Sequence, residues 1–309
     1  MANMITKSDA SALISEQVFN EVFKEAEKYS TVLRTFRRLP NMTSDKMRIK
    51  VVDSMPMAYW VNETTNNGRK ETSKMAWENV YLTAEELAVI VPIKDNTIND
   101  SDVDIWAQVR PELVKAVGKA IDKAILFGED APASFGSGVI PEIISRAKTV
   151  QETGKLYSDI NDVMTKVEES GYNVTTLMGG TNLKGKFRMM TDTTGQPLNT
   201  TEIGSLNREF VDNGAWDKTK ATLVAGDFNE AVYSIRQDVT FDVFRDGVIQ
   251  NPDGTIAYNL MQEDMTAVRL TFRIGVAIPN PVTSLDQTET RYPFAALVPA
   301  TETEEDPGL

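Results

Sequence analysis

From Ser15 to Tyr29 apolar side chains return at helical spacing, with Val18, Phe19, Val22, Phe23 and Ala26 on one face. Glu16 and Gln17 open the segment, where an acidic residue suits the positive end of a helix dipole, and Pro40 closes the arm behind it. A helix of about 15 residues with so narrow an apolar stripe is marginal alone, so it must dock on its own domain or on a neighbour. From Met47 the period falls to two: Met47, Ile49 and Val51 alternate with Arg48, Lys50 and Val52, and MAYWVNE follows Pro56. Asn67-Gly68 is a strong turn signal, and Lys74 to Leu82 runs back as a strand with Met75 and Trp77 on one side. This pattern predicts a long two-stranded hairpin. With no third strand in view such a hairpin is not stable by itself in water. It is expected to lie on another chain, with Tyr59, Trp60 and Trp77 as contact residues rather than a private core.

The run EELAVIVPI reads as a strand and KDNTINDSDVD as a turn-rich link. The longest helix is predicted from Ile105 to Phe127. Its apolar face is Trp106, Val109, Leu113, Val117, Ala120 and Ala124, flanked by Ile105, Ala116, Ile121 and Ile125. Asp102 and Asp104 are candidate N-caps, Lys119 and Lys123 suit the C-terminal end, Gly128 ends the helix, and Pro111 should kink or restart it near residue 110. A boundary rich in Gly, Pro and Ser follows at 129–141. Beyond it the pattern is mixed: a helix from Asp159 to Glu169 capped by Ser158 and stopped by Gly171, a strand at 174–178, a helix near 182–190, and a strand from Ala221 to Ala225. A helix or turn is expected around Glu230 to Ile235, a strand at 240–244, a helix or strand at 259–278, and a short final strand before an acidic tail. No internal repeat is visible.

Composition narrows the chemistry. The 309 residues contain no cysteine and no histidine. This removes thiolate and imidazole metal sites, cysteine nucleophiles, histidine triads and disulfide frameworks. What is left is carboxylate, lysine or hydroxyl chemistry, or none. The longest apolar stretch, Leu87 to Ile93, is about a third of a membrane span, and the first residues do not read as a secretory leader. The net charge is −13, yet the first fifty residues hold more basic than acidic side chains. The only basic cluster is Arg34, Arg37 and Arg38, read as a solvated or subunit-contacting arm rather than a sequence-specific grip on DNA.

Three patterns invite a chemical reading. Gly180 to Lys186 fits the spacing of a phosphate loop and follows a predicted strand, but the next residue is Phe187 where a hydroxyl would hold magnesium. A turn into a short helix is the better reading. The acidic stretch 95–104 is like a calcium loop in composition only, lacking the glycine and the closing glutamate at the required positions. The pairs Glu85-Glu86, Glu168-Glu169 and Glu304-Glu305 are expected to be solvated surface.

An arm, an extended hairpin, one long helix and a mixed domain together resemble the major capsid proteins of tailed phages, the Hong Kong 97-type fold of class α+β. The run from ELAVIVPIK through GEDAP looks like that family's strand, acidic turn and spine helix. GDFNEAVYSIRQDVTFDVF looks like its return into the peripheral domain, and QEDMTAVRLTFRIGVAIPNP like its last long helix and closing strand. The resemblance implies an N-terminal arm at 1–40 and an extended loop at 41–82. It implies a peripheral domain from 83–129 and 222–290 with the spine at 105–127, an axial domain at 130–221, and a C-terminal strand and tail at 291–309. It further implies a shell of hexamers and pentamers around double-stranded DNA without sequence-specific binding, no cofactor, no enzyme activity, no membrane, and a place in the virion capsid after assembly in the host cytoplasm. Portal and scaffolding proteins are the other partners implied, the scaffold being separate or absent because the arm starts near Met1. Contact candidates are Tyr59, Trp60, Lys70, Lys74, Trp77, Arg34, Arg37 and Arg38. Some members weld subunits by a Lys-Asn isopeptide bond assisted by Glu; here Asp264 and Thr271 fall at the Asn and Glu positions, so no weld is expected although Lys70 and Lys74 lie in the loop. An encapsulin-like nanocompartment shell is the alternative, and a soluble enzyme with a carboxylate site is a third reading.

Overall fold

The computed structural model describes residues 29–58, 60–61, 70, 72–101, 105–190 and 206–300. In chain order its elements are α1 (Thr31–Thr35), β1 (Arg37–Arg38), β2 (Lys46–Ser54), β3 (Ala76–Thr83), β4 (Glu85–Lys94), α2 (Asp95–Asn99), α3 (Ile105–Phe127), α4 (Val139–Ser145) and β5 (Thr149–Gln151). There follow α5 (Leu156–Glu168), β6 (Thr176–Gly180), α6 (Leu183–Arg188), β7 (Asn207–Val211), β8 (Leu223–Gly226), β9 (Val232–Phe244), β10 (Val248–Gln250), β11 (Ile256–Asn259), β12 (Met265–Ala277) and β13 (Phe294–Val298). The predicted helix 15–29, the turn at Asn67-Gly68, Tyr59, the caps Asp102 and Asp104, and the acidic tail lie outside the described residues, except for Tyr29 at the end of that helix.

Two sheets form the body. The first has the order β1-β9-β12-β4, with β12 antiparallel to both long neighbours. Along β12 the even positions Val268, Leu270, Phe272, Ile274 and Val276 enter one core cluster with Leu113, Val117, Ile121 and Ile125 of α3. The odd positions carry Arg269 and Arg273, which face away, so the strand is a period-two amphipath laid against a long helix. Leu87, Val89 and Val91 of β4 stand beside Phe272, Leu270 and Val268 in register and pack on the same cluster.

The second sheet has the order β5-β13-β8-β6-β7. One face sends Met178, Val224, Phe294 and Ala296 into the cluster shared with α3 and α4. The other sends Leu177, Leu223, Ala225, Ala295 and Leu297 against Ile160, Val163 and Val167 of α5. Burial on both faces explains why TLMGG and LVAG show no alternation: every residue of β6 and β8 is buried.

Helix α3 runs unbroken through Pro111, so the expected restart does not occur. Its buried face takes in Val114 and leaves Ala116 exposed. Gly128 ends it with φ +68°, a left-handed residue closing a helix, and a Cβ there would strike the Ser137 carbonyl oxygen at 2.1 Å. Four expectations are corrected. The link after β4 folds into the short helix α2. Helix α5 begins at Leu156 with Lys155 before it, so Ser158 sits inside its first turn and is not the cap; Gly171 does stop it, its N–H donating to the Glu168 carbonyl. The segment Glu230 to Ile235 is not a helix or turn throughout but enters β9, a thirteen-residue strand, because its apolar residues pair in register with β12. The stretch likened to a last long helix is β12, held as a strand by β4 and β9 on its two edges.

The hairpin is present as β2 and β3, antiparallel from Lys46 opposite Thr83 to Ser54 opposite Ala76, and it forms a sheet of its own. The strand pairing stops there, and MAYWVNE does not continue it among the described residues. Its core cluster lies at the base, where Leu82 and Ala84 join Met42 and Val232 with Met47 and Ile49 half-buried beside them, while further out Val51 is buried and the Val52 carbonyl accepts from the Val282 N–H.

Candidate assembly surfaces

The arm enters the body at one buried carboxylate. Asp122, on α3, accepts from the Ser30 hydroxyl (2.7 Å), the N–H groups of Thr31 (3.0 Å) and Val32 (3.1 Å), and the Asn213 side-chain amide (2.7 Å). Ser30 in turn caps α1 by accepting from the Leu33 N–H. The carboxylate therefore stands at the positive end of α1 and satisfies donors that the short helix cannot. Burial pushes its pKa above the ordinary carboxylate range, and the four donors pull against that shift. One turn earlier on α3, Gly118 lets the arm close in: a Cβ there would meet the Tyr29 carbonyl carbon and oxygen at 2.9 Å. Asn213 also donates to the Tyr29 carbonyl, at 2.9 Å. Sequence reading gave Asp122 no role; the signal was a charge between Ile121 and Ile125 on the apolar face, but its partners lie about ninety residues away in either direction.

The arginines of the arm divide by partner. Arg34 forks onto Glu209 of β7 at 2.7 and 3.0 Å, Arg38 donates to the Asn41 side chain, and Arg37 is exposed, its N–H donating to the Ala231 carbonyl as β1 pairs with β9. The hairpin presents two unlike faces. Met47, Ile49, Val80 and Leu82 turn toward its base core, while Lys46, Arg48 and Lys50 lie across from Thr83, Tyr81 and Asn79 on the other face. Trp77 and Tyr81 on that face are 61% and 57% exposed, and Trp60 beyond the strands is 95% exposed. Met57, Val61 and Met75 are exposed beside it, as are Lys70 and Lys74. So large an apolar and aromatic area at the end of a projecting hairpin is the signature of a surface that another molecule covers.

The candidate chemical sites do not converge. Among the described residues no group of carboxylates could hold a metal ion. Gly179 and Gly180 are buried, a Cβ on Gly180 would strike Trp216, and Lys186 is ion-paired to Glu152, which also accepts from the Thr222 hydroxyl. Residues Leu183–Arg188 form the short helix α6, so the stretch is a turn leading into a helix. Asp95 accepts from Thr266 instead of joining a cation loop. Asp264 precedes β12 with φ +48°, and its carbonyl accepts from the Asp95 N–H. Thr271 is buried in mid-strand, its hydroxyl 2.5 Å from that of Thr240.

A long helix spanning two sheets, with an arm pinned to it and a hairpin leaving the body, is the Hong Kong 97-type α+β fold of phage capsid subunits. The chain belongs to the phage capsid family, whose family model matches residues 10–282. It is similar to the major capsid protein of Staphylococcus phage 80alpha, with 24% identity over 96% of this chain and 88% of that one. Among solved structures it is similar to one from Microbacterium phage Oxtober96, at 31% identity and TM-score 0.77 over 96% of this chain and 99% of that one. Another, from Mycobacterium phage Adephagia, has 26% identity and TM-score 0.79 over 96% and 99%. The protein is a major capsid protein of a phage head, a structural subunit that assembles with its own copies into the virion shell. These matches do not favour the nanocompartment alternative.

Proposed function

We propose that the chain closes into hexamers and pentamers around double-stranded DNA and does so without catalysing a reaction. The observation that carries this reading is the hairpin of β2 and β3, on which Trp60, Trp77 and Tyr81 stand in solvent while its core cluster lies at the base. A second copy beneath the hairpin supplies the missing cover, with Tyr59, Trp60, Lys70, Lys74 and Trp77 as contacts and Arg34, Arg37 and Arg38 as arm contacts at the subunit edge. Arg34 would then reach a neighbour only by sharing or exchanging Glu209. The four-stranded sheet with α3 serves as the peripheral domain and the five-stranded sheet as the axial domain, which moves β8 and β13 into the axial domain from the 222–290 and 291–309 divisions that the resemblance implied. A net charge of −13 per subunit, repeated around the shell, gives the packaged DNA a mostly repulsive lining and no sequence-specific grip. Portal and scaffolding proteins complete the partners. An aspartate at 264 has no amide nitrogen to displace and Thr271 is no base, so subunits are not welded. Purified protein examined by electron microscopy tests the reading: closed shells support it, and a monodisperse monomer that turns over a substrate refutes it.

A further inference from the structure

The five-stranded sheet is charged differently at its two ends. At the β5 end α5 packs over β5, β13 and β8, and its solvent face holds Asp162, Glu168 and Glu169, all exposed. No cation shares that face. Lys155 precedes the helix, Lys166 is half-buried with its ammonium donating to the Ala147 carbonyl, and Lys148 and Asp286 beyond the helix end offset one another. At the β7 end the exposed Lys184, Arg188 and Arg208 surround Phe187 and Phe210, whose rings meet edge to face at 6.3 Å. The Lys184 ammonium lies 5.0 Å from the Phe210 ring centre and the Arg208 guanidinium 4.9 Å from that of Phe187. Of the acids on or beside these elements among the described residues, Glu152 is paired with Lys186 and Glu209 with Arg34, and Asp212 lies past the end of β7. We propose that the two ends meet between copies: the acidic face of α5 in one subunit docks on the cationic, aromatic patch of α6 and β7 in the next, head to tail around a ring.

Two observations lead there. The first is complementarity. Strands β5 and β7 are the opposite edges of one sheet, so a contact that joins them is heterologous, and a heterologous contact repeated by rotation closes a ring. Like end on like end would set carboxylate against carboxylate or ammonium against guanidinium, whereas head-to-tail docking sets each against its opposite. The second is where the acids stand. Glu168 is the last residue of α5 and Glu169 its C-cap. That is the negative end of the helix dipole, where an anion is unfavourable and a cation favourable. Among the described residues neither glutamate has an ion-pair partner. Lys184 and Arg188 of a neighbouring copy supply cations at that end and bring the exposed aromatic pair under cover with them.

This contact rests on the shell reading and names what closes the ring. Exposed ion pairs are weak singly, so reversal and rescue are tested rather than loss alone. One variant carries Glu168→Lys with Glu169→Lys, a second Lys184→Glu with Arg188→Glu, and a third all four changes. Particle yield is measured by sedimentation and electron microscopy beside wild type, with thermal unfolding of each free subunit to check its fold. Each reversal is expected to lower the yield about fivefold or more, the factor that roughly 1 kcal/mol of lost contact gives, and the combined variant to return to within about twofold of wild type because the two changes are coupled. A harmless reversal, or a combined variant no better than either reversal alone, overturns the proposal. Wild-type shells in that experiment leave the shell reading standing, whereas no shells from wild type overturns both. A second measurement needs no reversal: the fall of wild-type yield with added salt should flatten in Lys184→Gln with Arg188→Gln, and an equal slope overturns the proposal. Retention of the free subunit on duplex DNA, lost on Lys184→Glu with Arg188→Glu while assembly is unchanged, would assign the patch to a polyanion instead and overturn it as well.

Discussion

Replacing Asp122 by alanine should release the arm from the spine helix. The carboxylate holds four donors, two of them N–H groups in the first turn of α1. Loss of a helix N-cap costs about 0.5–2 kcal/mol, and each buried donor left without an acceptor costs about 1–3 kcal/mol. Against this stands the relief of a buried carboxylate, whose raised pKa shows that burial is unfavourable to its charge. The expected net loss is about 3 kcal/mol, which lowers the midpoint of thermal unfolding by roughly 6 °C in a chain of this size. The assay is denaturant unfolding of the unassembled protein, with exposed Asp162→Ala as control. A double-mutant cycle with Asn213→Ala should give a coupling of about 1–2 kcal/mol, since the two side chains share one hydrogen bond and both hold the arm. A loss below about 1 kcal/mol with no coupling refutes the reasoning, because the carboxylate would then be replaceable by water.

The same residue sets a pH dependence. A carboxyl whose pKa is raised by folding keeps its proton more readily in the folded chain, so its stabilisation is full below about pH 4 and is lost as the pH rises through the raised pKa. The penalty for Asp122→Ala is therefore expected to shrink from acid toward neutral pH in unfolding titrations; growth over that range contradicts it. Gly118→Val should displace the arm, since even the first added carbon lies 2.9 Å from Tyr29 backbone atoms, at a cost of about 1–3 kcal/mol, read as faster proteolysis near Tyr29. Trp60→Ala should leave the free subunit's stability within about 0.5 kcal/mol, because the side chain touches solvent, yet lower the yield of assembled particles; equal yields would remove the hairpin from the assembly surface. Mature particles on denaturing gels should run as intact monomers, and a covalent ladder would disprove the reading of Asp264 and Thr271.

The elements that were legible in the sequence are those whose burial is one-sided and local. Helix α3 shows itself by its apolar stripe, and β2 by strict alternation, because one face of each meets a core. Strands β9 and β12 were harder. Val232, Tyr233, Ile235 and Val239 fit a helical face as well as a strand, and the choice is made by edges that lie far away in sequence: β1 and β12 for β9, β4 and β9 for β12. In β12 the period of two was present at Val268, Leu270, Phe272, Ile274 and Val276, but Ala267 before them and Thr271 between them blurred it. The hairpin's unpartnered aromatics were readable, since exposed Trp60 and Trp77 need no tertiary context to look misplaced. The junction at Asp122 was not, because a lone acid on a helix reads as solvated until Ser30 and Asn213 are brought to it by the fold.

The central claim is that this chain builds a wall by burying its hairpin against another copy, and particle imaging tests it most directly. Electron microscopy of the purified protein, with wild type beside a Trp60→Ala, Trp77→Ala double variant, should find closed shells from the first and a folded but poorly assembling subunit from the second. Monodisperse wild-type monomers under all assembly conditions, or shells formed equally well by the double variant, would contradict it.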